Sequence, residues 1–305
     1  MSDAELARQA AAVEALLRDE AGALVCVVGP TAGGKTALAM HLAERLDGEI
    51  VGADSVQIYR GFDIGSGKPS AEERARVPHH LVDVAEPAAP FDAARFVALA
   101  DRAIADIRAR GRTPIVCGGT FLWVKALLSG LSDAPEGDAA IRARHRELVA
   151  REGVHALYTL LQAADPQLAA RLHPNDVLRV SRALEVFELS GQRLSDLQRA
   201  HGFRERRHAG LLVSPARTPE ELTSRIRARV ASFVADGLMD EVRALVAAGH
   251  REARAMRSVG YREALAAVDG ELPEAELVDV ITRSTRVFAR RQRTWLGREP
   301  VHYVS

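Results

Sequence analysis

An α/β fold, a parallel sheet flanked by helices with an all-helical insertion, is predicted by three observations. The apolar run Ala23–Val28 leads into Gly29-Pro30-Thr31-Ala32-Gly33-Gly34-Lys35-Thr36, after which Ala37–Leu46 has apolar residues at helical spacing. Two more strand-like runs, Glu49–Ala53 and Pro114–Cys117, are separated by an amphipathic stretch. From about residue 131 to 206 there is no β signal, and a strand pattern then returns at Ala209–Ser214. Strands alternating with helices make a parallel sheet with crossover connections, and a helical block between two strands reads as an insertion.

The glycine loop justifies the first strand and its helix. The pattern G-x-x-x-x-G-K-[ST] between strand and helix is that of P-loop NTPase-like folds, where glycines let successive N–H groups approach an anion. The helix starting near Gly34 adds its positive end, Lys35 a mobile charge, and Thr36 a hydroxyl placed to hold Mg²⁺. The loop therefore binds a di- or triphosphate group. Ahead of it, Ala4–Arg18 is Ala-rich and helix-prone. The second strand delivers Asp54-Ser55-Val56-Gln57-Ile58-Tyr59 to the carboxyl edge of the sheet, where open parallel sheets bind ligands. Gly61–Pro90 is rich in Gly, Pro and His without a clear period and reads as loop. Phe91–Arg110 is amphipathic, with Phe96, Leu99, Ala103 and Ile107 on one face, and stops at Gly111. The strand at 114–117 ends in Gly118-Gly119-Thr120. A turn-rich linker, Ser132–Asp138, opens helical segments over Ala139–Arg151, Val154–Ala164, Pro166–Leu172 and Val177–Leu189. Beyond the returning strand, helices are predicted over Pro219–Ala235, Leu238–Ala248, Tyr261–Val268 and Glu274–Leu296. The expected organisation is a core of residues 1–130 and 207–305, interrupted by the insertion at 131–206.

Composition narrows the function classes. The chain has 305 residues, 47% apolar and 27% charged, with zero formal net charge. That balance builds a sizeable core and leaves no global field to draw the protein onto nucleic acid or membrane. Cys26 and Cys117 both lie in apolar strand-like runs and read as small buried hydrophobes. No apolar run approaches the ~18 residues of a membrane span, and no secretory signal is legible, so a cytoplasmic protein without membrane partners is expected. Charge is uneven locally. Val280–Arg298 holds six arginines (Arg283, Arg286, Arg290, Arg291, Arg293 and Arg298) and no acid, leaving 35 basic against 41 acidic residues elsewhere. Such a run is either a solvated helix face or, with Arg251, Arg254, Arg257 and Arg262, the wall of a groove for a nucleic-acid backbone.

Among single residues Asp54 stands out, with three open readings: a magnesium ligand, a general base, or a helix N-cap. No acid follows the strand that ends at Gly118-Gly119-Thr120, where an ATPase would place one. Thr120 is either a cap on Phe121–Leu128, a site hydroxyl, or both. His79 and His80 lack ligand partners at metal spacing, and Trp123 and Trp295 read as core.

Taken together, the motifs resemble the tRNA dimethylallyltransferase family (IPP transferases, bacterial form). The blocks in order are Gly29–Thr36, Asp54-Ser55-x-Gln57-x-Tyr59, Gly65-x-x-Lys68-Pro69, Pro78-His79-His80 and Gly118-Gly119-Thr120. They continue with His173-Pro174-Asn175-Asp176, Arg179-x-x-Arg182-Ala183-Leu184-Glu185, Ser258-Val259-Gly260-Tyr261 and Arg291-Gln292-x-Thr294-Trp295. The resemblance covers nearly the whole chain. It departs at Gly33, where many members have Ser, and at Gly297, where the last motif usually has Arg and Arg298 follows instead. The Cys/His zinc-finger extension of eukaryotic members is not seen.

The resemblance implies transfer of a dimethylallyl group from its diphosphate to N6 of adenosine 37 in the tRNA anticodon stem-loop, with Mg²⁺ as cofactor. It implies Asp54 as general base and Thr31–Thr36 holding the diphosphate, with Lys35 and Arg229 assisting. It further implies tRNA contacts by Asp54, Ser55, Val56, Gln57, Thr120, Arg142, Leu178, Arg179, Arg182, Arg257, Gly260, Tyr261, Arg262, Arg291 and Gln292. The expected state is a monomer. The competing reading is a small-molecule kinase that binds ATP on the same loop; it leaves the arginine-rich C-terminus and the insertion unexplained.

Overall fold

The computed structural model describes residues 2–20 and 22–305. Among them, six strands form one sheet: β1 (Leu24–Val28), β2 (Gly48–Gly52), β3 (His79–His80), β4 (Thr113–Gly118), β5 (Gly210–Pro215) and β6 (His302–Val304). Every pairing is parallel, in the order β3-β2-β4-β1-β5-β6. β1 thus lies between β4 and β5, with Val28 opposite Gly118 and Val27 opposite Val213. The chain leaves β1 toward one side of the sheet and returns on the other, which opens a crevice at the carboxyl ends of these strands.

β1, at the centre of the sheet, is apolar and buried along its whole length because both of its faces are covered. Alternate residues of β1 divide between two cores: Leu24, Cys26 and Val28 face one, Val25 and Val27 the other. The second core is closed by α1 (Asp3–Asp19) and α2 (Lys35–Arg45) through Ala10, Val13, Leu38 and Leu42. The first is closed by α4 (Ala93–Ala109) and by the C-terminal helices α11 (Pro219–Ala235), α12 (Leu238–Ala247), α13 (Tyr261–Val268) and α14 (Leu277–Leu296). Trp123, on α5 (Phe121–Ser129), stacks on Phe96 in that core; Trp295 is partly buried and stacks on Phe121. No described helix is long and apolar enough to cross a membrane.

The structure refines several sequence expectations. The 61–90 stretch contains α3 (Ala71–Arg76), started by the reciprocal cap of Ser70 and Glu73, and the two-residue β3, too short to show a period. On α4 the buried face is Phe96, Ala100, Ile104 and Ile107; Leu99 and Ala103 are only partly covered. The helix expected from Glu274 opens with a 3₁₀ turn, Glu274–Glu276, before α14.

The chain divides into two compact units, 1–128 with 207–305, and 129–206. The second holds α6 (Ala139–Glu152), α7 (Val154–Ala164), α8 (Pro166–Ala169), α9 (Val177–Ser190) and α10 (Leu194–His201) around Leu157, Leu161, Val180 and Leu184. α8 ends at Ala169, short of the expected Leu172, and α10 is a helix beyond those the sequence patterns delimit. Asp165, fully buried, accepts N–H groups from Leu168 and Ser195 and so ties α8 to α10. Glu185 is also fully buried and accepts from Asp138 N–H at 2.7 Å, with the guanidinium groups of Arg142 and Arg182 against it. Burial pushes its pKa up, but the hydrogen bonds from these partners outweigh that and hold it below the usual range.

Candidate active site

β1 ends in the glycine loop, whose shape follows from its backbone. Ala32 and Gly34 have φ of +60° and +99°, and the loop turns on a Gly33 N–H to Pro30 carbonyl bond of 3.1 Å. Gly34 then caps α2 in the left-handed region that glycine tolerates. The loop is braced from behind: Arg225 Nε donates to Ala32 O at 2.9 Å and Arg217 Nε to Gly33 O at 3.3 Å, while Arg217 also pairs with Glu5 of α1. Neither arginine is among the site residues expected from the sequence. Arg225 lies four residues before Arg229 and so shares its helix face, which was the available signal.

Lys35 is partly buried and donates to Pro30 O at 2.9 Å. Burial lowers its pKa from 10.5 to about 8, reinforced by Arg229 and partly offset by the Asp54 carboxylate. Arg229 projects from α11 over the Phe233 ring, 5.0 Å from its centroid. Burial lowers its pKa too, and Asp54 is the anion that counteracts this. Among the described residues no carboxylate lies within ion-pair distance of Lys35 or Arg229. Two part-buried cations thus stand beside the glycine loop without a carboxylate in ion-pair contact among the described residues.

Asp54 follows β2. Its Oδ1 accepts from Val56 N at 2.9 Å and Gln57 N at 3.4 Å, so it fastens a turn and caps no helix; Oδ2 takes no hydrogen bond from a described residue. Beside it, Ser55 N–H donates to Thr120 Oγ1 at 3.1 Å. The Thr120 hydroxyl therefore joins the ends of β2 and β4, while its carbonyl closes the first turn of α5. Gly118 permits this junction: a Cβ there would sit 2.1 Å from Ala53 O. Gln57 donates from Nε2 to Ser66 O and Gly67 O, fixing the 65–67 loop. Glu241 holds the same loop by accepting from the N–H groups of Asp63, Ile64 and Gly65.

Lys35, Asp54, Ser55, Gln57, Thr120 and Arg229 line one cleft of about 370 Å³, together with Thr31, Thr36, Cys117, Arg257, Gly260 and Phe288. Burial pushes the Cys117 thiol up to about 11, so it lines the cleft as a neutral group. Of the sequence-predicted site residues, Thr31, Ala32, Lys35, Thr36, Asp54, Ser55, Val56, Gln57, Thr120, Arg229, Arg257, Gly260 and Gln292 meet here. Gly29, Pro30, Gly33 and Gly34 shape the loop.

Five residues expected to contact RNA have side chains with partners inside the protein. Tyr261 is fully buried and its hydroxyl donates to Glu241, so its side chain supports the 63–65 loop and presents nothing to an external ligand. Gln292 is 6% exposed and its amide is used within the protein, accepting from Thr31 N and donating to Gly119 O. Arg142 and Arg182 are held by Glu185 in the helical unit, and Arg262 is paired with Glu263. In contrast Leu178 is 81% exposed, and Arg179 is exposed beside Asp176.

The basic residues of the C-terminal region fall into two sets. Arg251 and Arg257 are paired with Asp269 and Glu252, and Arg254 donates to Phe91 O. Arg283, Arg286, Arg290, Arg291 and Arg293 on α14, and Arg298 beyond it, are exposed without a carboxylate partner among the described residues. Arg290 and Arg293 line a second groove, of about 450 Å³, with Arg217, Ser214 and Tyr303.

Comparison with known proteins identifies this arrangement. The family model described as IPP transferase matches residues 57–299, and one described as isopentenyl transferase matches 22–82. The tRNA dimethylallyltransferase of Sorangium cellulosum (strain So ce56) is 57% identical over 93% of this chain and 90% of its own. The tRNA dimethylallyltransferase of Anaeromyxobacter sp. (strain Fw109-5) is 53% identical over 90% and 92%. Among solved structures, the full-length tRNA isopentenylpyrophosphate transferase of Bacillus halodurans superposes with a TM-score of 0.67 at 37% identity, covering 92% of this chain and 89% of that one. A eukaryotic dimethylallyltransferase acting on tRNA gives 0.74 at 26% identity, covering 90% and 70%. A phosphate loop, the Asp54 turn and the α14 arginines thus fall within a match that runs nearly the full chain, which belongs to the IPP transferase family, the tRNA dimethylallyltransferases.

Proposed function

We propose that this enzyme transfers the dimethylallyl group of dimethylallyl diphosphate to N6 of adenosine 37 in the anticodon stem-loop of tRNA, releasing diphosphate. One observation carries the reading. A single cleft joins an anion loop with two part-buried cations, Lys35 and Arg229, to a carboxylate, Asp54, whose Oδ2 has no hydrogen-bond donor among the described residues. The acceptor class follows from the names of the relatives.

The chemistry uses each group. The N6 lone pair is delocalised into the adenine ring, so the amine is a weak nucleophile and sheds a proton as it bonds to the allylic carbon. Asp54 Oδ2 accepts that proton. The allylic C–O bond breaks with its electron pair leaving on the diphosphate. Lys35, Arg229 and the loop N–H groups meet the charge that develops there. Thr36 offers a hard oxygen donor at the loop, and Mg²⁺ held by it, the diphosphate and water would add positive charge against the leaving group. Adenosine 37 must leave the loop stack to reach Asp54, as in other base-modifying enzymes. The α14 arginines and the exposed Leu178 and Arg179 are the proposed grips on the RNA.

The test is product mass. Enzyme, Mg²⁺ and dimethylallyl diphosphate are given an unmodified stem-loop with adenosine 37, or the same RNA with inosine, which lacks the exocyclic amine. A gain of one dimethylallyl group on the adenosine RNA alone is expected. A gain on both would place the acceptor elsewhere.

A further inference from the structure

Gln292 reaches from α14 across the base of the cleft. Its Oε1 accepts from the Thr31 N–H at 2.9 Å, and its Nε2 donates to the Gly119 carbonyl at 3.1 Å, partners 261 and 173 residues away. Gln292 is 6% exposed and bonds to backbone groups of two partly buried residues. Gly119 leaves room for it: a Cβ at that position would lie 2.7 Å from Gln292 Nε2, so the amide would have to shift. Each end of the bridge continues into chemistry. Thr31 begins the turn that carries Ala32, Gly33 and Lys35. Gly119 precedes Thr120, whose Oγ1 takes the Ser55 N–H beside Asp54. Only a side chain of this length, with an acceptor and a donor at one terminus, satisfies both partners.

We infer that Gln292 is a positioning residue that sets the distance between the diphosphate loop and the Asp54 base, and does not itself contact RNA. The inference rests on the transfer reaction proposed above and deepens it. The donor is held by the loop and the acceptor by the β2–β4 junction, so the reacting carbon and N6 are aligned only if the two halves are in register. A misplacement of about 1 Å costs about 10²-fold in rate. Glu at this position retains the acceptor for Thr31 N–H but turns a carboxylate oxygen toward the Gly119 carbonyl, two acceptors face to face. Met retains the volume and loses both bonds.

The test is a double-mutant cycle on the full chain. The variants are Gln292→Met, Gln292→Glu, Gly119→Ala and Gly119→Ala with Gln292→Met, read by single-turnover rate, stem-loop Kd and inorganic diphosphate Kd. Each single variant is expected to lose about 10²-fold in rate with the RNA Kd changed less than about threefold. The double variant is expected to be no slower than either single, because the methyl group that Gly119→Ala introduces already displaces the amide. Rate losses that multiply, or an RNA Kd weakened tenfold by Gln292→Met, would overturn the inference and make Gln292 an RNA contact. Wild-type rate for Gln292→Met would also overturn it. Should Gln292→Met fail to fold, Gln292→Glu, which keeps the Thr31 bond, carries the comparison. If wild-type enzyme itself fails to modify the RNA, the transfer reading fails, an outcome distinct from all of these.

Discussion

Replacing Asp54 by Asn separates its two jobs. Oδ1 accepts from Val56 N at 2.9 Å and Gln57 N at 3.4 Å, and an amide oxygen does the same, so the turn persists. Oδ2 has no donor among the described residues, and an NH₂ group there displaces no existing hydrogen bond. The fold should therefore hold, with a change in stability of about 0.5 kcal/mol or less, as for surface positions away from a buried network. The proton acceptor is lost. General-base catalysis contributes about 10²–10⁴-fold, or roughly 3–5 kcal/mol at about 1.36 kcal/mol per decade. Removing a negative charge near Lys35 and Arg229 also removes a repulsion toward the diphosphate, so its affinity should stay level or tighten. Single-turnover kinetics with stem-loop RNA, alongside calorimetric Kd values for RNA and diphosphate, separate these effects. A rate loss below tenfold, or a tenfold weakening of RNA binding, would refute Asp54 as the base.

Three further outcomes follow from the same geometry. Changing Arg290 and Arg291 to Ala should flatten the dependence of log Kd on log salt by about 1.4–1.8, two phosphate contacts at ~0.7–0.9 each, and an unchanged slope would return α14 to a solvated surface. Because burial lowers Lys35 to about 8, diphosphate affinity of the free enzyme should fall as pH rises through that value, and Lys35→Met should abolish that inflection; a flat profile from about pH 7 to 9 would contradict it. Glu49 is 1% exposed among Arg110, Arg112 and His80, and its pKa is lowered to about 2, with the Arg110 hydrogen bond the largest cause. A carboxylate depressed on folding stabilises above its unfolded pKa of about 4.5 and loses that contribution as pH falls toward 2. Denaturant midpoints of wild type and Glu49→Gln should thus differ at neutral pH and converge in strong acid, and a constant gap would contradict the pairing.

What the sequence made legible was whatever local pattern carries. The loop from Gly29 to Thr36 announces its strand, its helix and its anion, because all three lie in one continuous stretch. The strands at 24–28 and 113–118 are apolar on both faces, as a doubly covered parallel sheet requires, and β3 and β6 were missed because two and three residues show no period. The bracing of the site was not legible for a different reason. Arg217, Arg225, Glu241 and Gln292 act on backbone groups far away in the chain, as Glu241 on Gly65 at 176 residues and Gln292 on Thr31 at 261. Nothing in their local spacing says which loop they will meet. The same limit holds for Tyr261, for which the resemblance implies a tRNA contact and no local pattern shows the partners of its side chain. Its ring packs on Phe62 at 4.9 Å, and its hydroxyl donates to Glu241.

The central claim is that this phosphate loop holds a prenyl diphosphate for transfer to RNA. It is tested most directly by giving enzyme, Mg²⁺ and unmodified anticodon stem-loop either dimethylallyl diphosphate or ATP, and weighing the RNA by mass spectrometry. The account expects one dimethylallyl group added in the first mixture and no change in the second. Unchanged RNA in both, with ATP consumed once a small hydroxyl acceptor is supplied, would contradict it and make the protein a kinase.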